Sequence, residues 1–240
     1  MILLDEAISF FIKCYYLFLS VSIFYPILVV YFLYNKNNKN DKYDKLYFLW
    51  NLNLSLFSIW GSYQTVPVLV KHIIKNGIVY TINNPNINSE LAYPMMLFSL
   101  SKIFELGDTI FVHLRGRNLI FLQYYHHYIT LLFCWYAFIY TTKINGTNSF
   151  FSCMNYMVHS MMYSWYTLTS VKIKTPNYIK NIITFVQFIQ MIIGIIITTI
   201  ATITTKWYLD DLFVVCFLYI MYGSYVYMFG KLFFSKIKQS

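Results

Sequence analysis

Charge is what this sequence has least of. Asp, Glu, Lys and Arg make up 11% of its 240 residues, against roughly 25% in an ordinary water-soluble domain. A chain this poor in charge cannot cover itself for water, so lipid must solvate much of it. Glycine and proline are also scarce, at 8 and 5 residues. There is no glycine-rich phosphate loop, no clear internal repeat and no soluble domain. Period-two alternation, the mark of membrane barrel strands, is missing too; IIGIIITTIATI runs continuously apolar and reads as helix. Its threonine hydroxyls can bond back to the preceding helical turn. The four cysteines (Cys14, Cys134, Cys153, Cys216) show no CxxC spacing and read as reduced, small, buried residues. Residues 1–13 lack the charged start, apolar run and cleavage site of a signal peptide, so the first span is expected to stay as an anchor.

What is present is apolar and aromatic. Hydrophobic residues make up 58% of the chain and aromatics 21%, with 24 Tyr and 22 Phe; this suits packed helices and interfacial belts. The loops, rich in Asn, Lys, Ile and Tyr, read as a bias towards AT-rich codons. A membrane helix needs about 20 mainly apolar residues. Seven segments qualify: 14–34, 46–70, 94–112, 119–140, 150–171, 181–204 and 212–234. The longest polar separators are 35–45 and 71–93, the latter holding NNPNINSE. The expected fold is therefore all-α, a single polytopic membrane domain over residues 1–240.

The net charge of +9 raises nucleic acid as a partner, but basic residues of membrane proteins collect on cytoplasmic loops. One side would hold Lys36, Lys39, Lys42, Lys45, Arg115, Arg117, Lys172, Lys174, Lys180, Lys231, Lys236 and Lys238. The other would hold Lys13, Lys71, Lys75, Lys143 and Lys206. That imbalance predicts a lumenal N-terminus and a cytosolic C-terminus, with no nucleic-acid partner. Asn145-Gly146-Thr147, a glycosylation sequon, then falls in a lumenal loop. The ending KIKQS places Lys236 and Lys238 as in a dilysine signal for endoplasmic-reticulum retrieval.

Ionisable groups within a span cost roughly 2.5–3.5 kcal/mol each on insertion scales, so they face protein or water. Here they cluster. Lys102, Glu105 and Asp108 in SKIFELGDTIF are three residues apart and share one helical face, with Thr109 beside them. The fourth span opens with Gln123, His126 and His127; the fifth carries Asn155, His159, Tyr163 and Tyr166 at helical spacing. The sixth repeats Thr184, Gln187 and Gln190 every three residues. One buried histidine is usually a satisfied core residue. Three histidines with two acids, a lysine and three glutamines on four consecutive spans are a site.

These motifs resemble those of the ELO family of fatty-acid elongases, the membrane-bound 3-ketoacyl-CoA synthases. KIFELGDT is similar to that family's KxxExxDT, NYMVHSMMYSWY to NxxVHxxMYxYY, and TFVQFIQ to TxxQxxQ. QYYHH takes the place of the HxxHH histidine box, and MYGSYVYMFGKLFF is similar to the last aromatic stretch. The motifs span residues 102–190 and 221–231, and the seven-span layout extends the likeness to the whole chain. Two positions depart: Gln123 stands where the family has the first histidine of the box, and Trp165 replaces the first tyrosine of the YY pair. A glutamine cannot act as a base but can donate and accept hydrogen bonds, so Gln123 is assigned an orienting role.

The resemblance implies a reaction. An acyl-CoA condenses with malonyl-CoA to a 3-oxoacyl-CoA two carbons longer, releasing CO2 and CoA. It implies His126 as nucleophile through an acyl-imidazole, with His127 flanking, His159 assisting and Asp108 orienting an imidazole. Asn155, Gln187 and Gln190 are candidates to donate to the oxyanion. Lys102, Glu105, Thr109, Tyr163 and Tyr166 complete the candidate set. CoA phosphates are expected among Arg115, Arg117, Lys172, Lys174 and Lys180. The acyl chain is expected in an apolar tunnel enclosed by six of the spans. No metal and no tightly bound cofactor is expected; the reductase, dehydratase and enoyl reductase of an elongation cycle are implied partners, and a homodimer is allowed.

Two other readings compete. A di-iron desaturase needs roughly eight histidines; this chain has five, and His72 and His113 read as loop residues. A transporter or receptor fits the span count, but a transporter site sits near the midplane, often at broken helices, and no glycine or proline interrupts the fourth span.

Overall fold

The computed structural model describes residues 3–205 and 212–237, with the side chains of residues 177, 236 and 237 outside the description. All regular elements among them are helical. In chain order they are α1 (Leu4–Lys13), α2 (Tyr15–Tyr34), α3 (Asp44–Asn76), α4 (Ile78–Asn83), α5 (Asn86–Glu90) and α6 (Ala92–Glu105). Then follow α7 (Gly107–Leu114), α8 (Phe121–Tyr140), α9 (Thr147–Ser170), α10 (Asn177–Thr204) and α11 (Leu212–Ile237). A short 3-10 turn, Asp41–Tyr43, leads into α3.

Segments of α2, α10 and α11 (Tyr15–Tyr34, Tyr178–Thr204 and Leu212–Ser235) are long and apolar enough to cross a membrane. Their outward faces fit that role: Phe24, Ile27, Ile196, Phe213 and Ile220 are all more than half exposed. Helices α3 and α9 are long but less apolar, because they bury their polar side chains against each other. Asn51, Ser55, Ser58, Gly61 and Thr65 recur every three or four residues of α3, and all are buried. Small residues let helix backbones approach closely in a membrane. The Tyr156 ring fills the space a side chain at Gly61 would need, and its hydroxyl donates to the Pro94 carbonyl at 2.9 Å. Ser55 and Ser164 hydroxyls meet at 2.7 Å.

Several expectations change. The segment at 94–112 is two helices, broken at Leu106, not one continuous face. Segment 71–93 is not a polar loop. It continues α3, then forms α4 and α5, which bury Thr81, Ile82, Ile87 and Asn88. His72 lies in α3 and His113 in α7, not in loops. His72 Nε2 is 3.0 Å from Glu90, and the His113 ring stacks on Phe32 with centroids 3.8 Å apart. Of the cysteines, only Cys134 and Cys153 are buried; Cys14 is half-buried and Cys216 exposed. All four are free.

The sequon is not displayed. Asn145 is fully buried; its Oδ1 accepts from the Thr147 backbone N–H at 3.1 Å and hydroxyl at 2.6 Å. Asn88 knits the same corner, donating to the carbonyls of Thr142 at 2.8 Å and Asn145 at 2.6 Å. Its own oxygen accepts from Ser149 at 2.6 Å. The threonines of α10 do bond back one turn: Thr198, Thr199, Thr202 and Thr204 each donate to the carbonyl four residues earlier. Lys206 and Lys238 lie outside the described residues, as does the Lys236 side chain.

Candidate active site

The break between α6 and α7 gives the site its shape. Gly107 follows it, and the Trp50 indole occupies the space that a side chain there would fill. That close approach brings Trp50 Nε1 to donate to Asp108 Oδ1 at 2.7 Å. The second oxygen, Asp108 Oδ2, accepts from the Tyr163 hydroxyl at 2.8 Å. Asp108 is thus fixed by residues of α3 and α9. Its neighbour Thr109 is fully buried and shares a 2.7 Å hydrogen bond with the Tyr25 hydroxyl.

Glu105 closes α6 and is 3% exposed. Its Oε1 accepts from Lys102 Nζ at 2.7 Å and from the Ser101 hydroxyl at 3.1 Å. Lys102, itself 2% exposed, also donates to Asn155 Oδ1 at 2.8 Å and sits 4.2 Å from the Phe98 ring centroid. A charge this deep needs such partners, because an unpaired ion in low dielectric costs several kcal/mol.

The three histidines meet these acids differently. His127 has a carboxylate on each side: Nδ1 is 3.9 Å from Glu105 Oε2 and Nε2 is 3.6 Å from Asp108 Oδ2. His159 turns Nδ1 towards Glu105 Oε1 at 3.6 Å. His126 has aromatic neighbours instead, with its ring centroid 4.8 Å from Tyr225 and 5.7 Å from Phe229. The Tyr225 hydroxyl donates to the His126 carbonyl at 3.2 Å.

One cavity of about 320 Å³ gathers this machinery; its lining draws on α3, α7, α8, α9, α10 and α11. His126, His127, His159, Asp108 and Gln123 line it. So do Tyr166, Thr184, Gln187 and Lys180. A separate void of about 20 Å³ lies beside Phe133, Cys134 and Phe151. No residue lines both cavities.

Other candidates stand back from the cavity. Lys102, Glu105, Thr109, Tyr163, Asn155 and Gln190 are not in its wall. Asn155 spends its oxygen on Lys102, and Gln190 is buried. Among the five basic residues expected for CoA, only Lys180 lines the cavity. Arg115 pairs with Asp44 at 2.9 Å and lies 4.2 Å from the Tyr47 ring centroid; Arg117, Lys172 and Lys174 are exposed. Among the described residues, no cluster of three or more His, Cys, Asp and Glu could hold a metal ion.

Sequence reading missed the α3 wall, where Tyr47 and Asn51 line the cavity and Trp50 holds Asp108. The available signal was the row of Asn, Ser, Gly and Thr on that helix. Phe229 of α11 was also passed over as a wall residue, and so was Trp165. Trp165 donates from Nε1 to Thr175 at 2.9 Å and so ties down the segment between α9 and α10.

The model of the ELO family, described as GNS1/SUR4, matches residues 10–240. The chain belongs to the ELO family. Very long chain fatty acid elongase 6 of Drosophila melanogaster is 40% identical over 150 residues, covering 61% of this chain and 46% of that protein. Long chain fatty acid elongase 1 of Caenorhabditis elegans is 40% identical over 148 residues, covering 61% and 50%. Fatty acid elongase 3 of Trypanosoma brucei brucei is 35% identical over 219 residues, covering 77% and 71%. The chain spans about half the length of the first two relatives. ELO membership and the apolar helices make this a membrane protein of lipid metabolism. Gln123, His126 and His127 of α8 and His159 of α9 form cavity wall, while Lys102 and Glu105, paired with each other, do not.

Proposed function

We propose that this protein is a fatty-acid elongase, a 3-oxoacyl-CoA synthase that condenses an acyl-CoA with malonyl-CoA. The observation that carries this reading is the convergence of His126, His127 and His159, from two helices, on one cavity with Asp108. In this reading the His126 imidazole attacks the acyl thioester. A C–N bond forms, the C–S bond breaks, and CoA leaves. Malonyl-CoA then loses CO2, and the electron pair of that bond becomes an enolate. The enolate attacks the acyl-imidazole carbonyl, forming the new C–C bond and releasing His126. One proton is taken up per turnover, ending on the CoA thiol. Splitting one difficult acyl transfer into two easier steps is the gain from a covalent intermediate.

Gln187, in the cavity wall, is the candidate to donate to a developing oxyanion, a kind of contact worth roughly 10²–10³ in rate, and Gln123, in the same wall, orients the substrate. Lys180 is the wall residue for a CoA phosphate, with Lys172, Lys174 and Arg117 as exposed cations outside the cavity. No tightly bound cofactor takes part. In this reading the chain crosses the membrane seven times, six of the spans enclosing the acyl tunnel, with a lumenal N-terminus, a cytosolic C-terminus and residence in the endoplasmic reticulum through Lys236 and Lys238. The other enzymes of an elongation cycle are the proposed partners, and a homodimer is compatible with this layout.

The test is an assay on membranes from elongase-deficient cells expressing the protein, given acyl-CoA and malonyl-CoA labelled at its free carboxyl. Labelled CO2 and a two-carbon-longer 3-oxoacyl product are expected, and His126→Ala is expected to abolish both. Full activity in His126→Ala would falsify the nucleophile assignment, and no CO2 release from the unaltered protein would overturn the elongase reading.

A further inference from the structure

We propose that Tyr225 of α11 is a positioning residue that holds the His126 imidazole in its reactive orientation. The proposal rests on the acyl-imidazole reading above and adds what aims the nucleophile. The outer torsion of a histidine side chain is broad, so a ring that must attack a thioester needs neighbours to fix it. Among the described residues, no hydrogen bond engages the His126 ring nitrogens; both are left to the reaction. What the ring touches is other rings. Its centroid lies 4.8 Å from Tyr225, 5.6 Å from His127 and 5.7 Å from Phe229, within the favoured range for aromatic pairs. His127 belongs to the same helix and moves with it. Tyr225 and Phe229 come from α11 and so supply an outside reference. Phe229 is cavity wall, whereas Tyr225 is not and is 2% exposed. Tyr225 can therefore aim the imidazole without meeting substrate.

The phenol is itself anchored to the turn that carries His126. Threonines elsewhere in this fold, such as Thr141, Thr167 and Thr198, donate to the carbonyl four residues earlier. For Thr130 that carbonyl belongs to His126, and here the Tyr225 hydroxyl donates to it at 3.2 Å. The Thr130 hydroxyl lies 2.9 Å from the same phenol oxygen. A phenol has one proton to give, so Thr130 is the donor in that second bond. The hydroxyl of Tyr225 is thus threaded into one turn of α8, and its ring is pinned beside the imidazole that the same turn presents. Locking a reactive side chain by packing and by hydrogen bonds behind it is how a site keeps its geometry.

The test is the burst of free CoA when detergent-solubilised protein meets acyl-CoA without malonyl-CoA, with mass spectrometry of the His126 peptide. In this half-reaction the C–N bond forms, the C–S bond breaks, and the proton lost by the imidazole ends on the CoA sulfur. Burst amplitude counts folded sites, and the rate constant reports how well the ring is aimed. Tyr225→Leu removes the ring and is expected to slow the burst about 100-fold, as a displacement of about 1 Å does, with the acyl-CoA concentration for half-maximal rate unchanged. Tyr225→Phe keeps the ring but unties it from α8, and is expected to slow the burst about 3- to 10-fold, the rate equivalent of one hydrogen bond. Ser224→Ala removes the neighbouring bond from the Tyr125 hydroxyl to Ser224, 3.2 Å long, in the same joint between α8 and α11. It leaves the His126 contacts in place and is expected to keep its rate constant. A folded Tyr225→Leu with lower amplitude but an unaltered rate constant overturns the proposal. Where that variant does not fold, an unaltered rate constant in Tyr225→Phe overturns it. So does a slowing in Ser224→Ala as large as that in Tyr225→Phe, because the joint and not the ring would then be at work. If the unaltered protein shows neither burst nor His126 adduct, the acyl-imidazole reading falls and takes this role with it.

Discussion

Lys102 is a cation at 2% exposure, and its surroundings show how such a residue is tolerated. Glu105 and Asn155 accept from it, and Phe98 offers its ring face. Lys102→Met would strand the Glu105 carboxylate and is expected to destabilise the protein by about 3–5 kcal/mol, the usual cost of breaking a buried pair. The double variant with Glu105→Gln is expected to be more stable than Lys102→Met alone, as measured by thermal unfolding in detergent; equal loss in both would show that the pair is not coupled. Gln123 lines the cavity on the same helix as His126. Replacing it with histidine is expected to preserve or raise product formation in the elongation assay, and complete loss would show that Gln123 does more than orient. At this scale the motif positions were legible, because ionisable residues in apolar spans stand out. Trp50 did not stand out, since an aromatic residue in a membrane helix is commonplace; only its 2.7 Å bond to Asp108 gives it a role.

At the scale of elements, α3 and α9 depend on side chains small enough to let them touch. Gly61→Leu would drive a branched side chain into the Tyr156 ring and is expected to cost about 1–3 kcal/mol by overpacking, lowering the midpoint of thermal unfolding. An unchanged midpoint would mean that the ring moves aside freely. The segments 14–34, 119–140 and 181–204 match α2, α8 and α10 to within four residues at either end, because continuous apolar runs leave few other places for a helix to stop. The segment 94–112 failed differently. Gly107, directly after the break, was the one local signal, and the break accompanies the approach of Trp50 to that glycine. Segment 71–93 was read as polar for its asparagines. Asn88 is buried because two carbonyls and a hydroxyl satisfy its amide. Removing it in Asn88→Ala strands those groups at about 1–3 kcal/mol each, and increased hydrogen exchange at Thr142 to Ser149 is the expected signature.

For the whole molecule, the sequon offers a direct check. Asn145 is buried with its oxygen committed to Thr147, so the folded chain does not present this amide to a glycosylating enzyme. Protein from a eukaryotic host is expected to keep its electrophoretic mobility after endoglycosidase treatment, and Asn145→Gln is expected to leave that mobility unchanged. A shift in the unaltered protein would show modification before this corner closes. Composition and periodicity alone determined that the chain is helical and lipid-solvated, with ionisable residues clustered on the third to sixth apolar segments. Those features follow from the cost of exposing peptide groups and charges to hydrocarbon, which acts on each segment by itself. Tertiary packing alone decided which ring nitrogen meets which carboxylate, which glutamine reaches the cavity and which stays buried, and that the sequon is closed. Such outcomes depend on how helices distant in sequence approach one another, and that distance is set by side chains, such as Gly61 and Gly107, that carry no chemistry of their own.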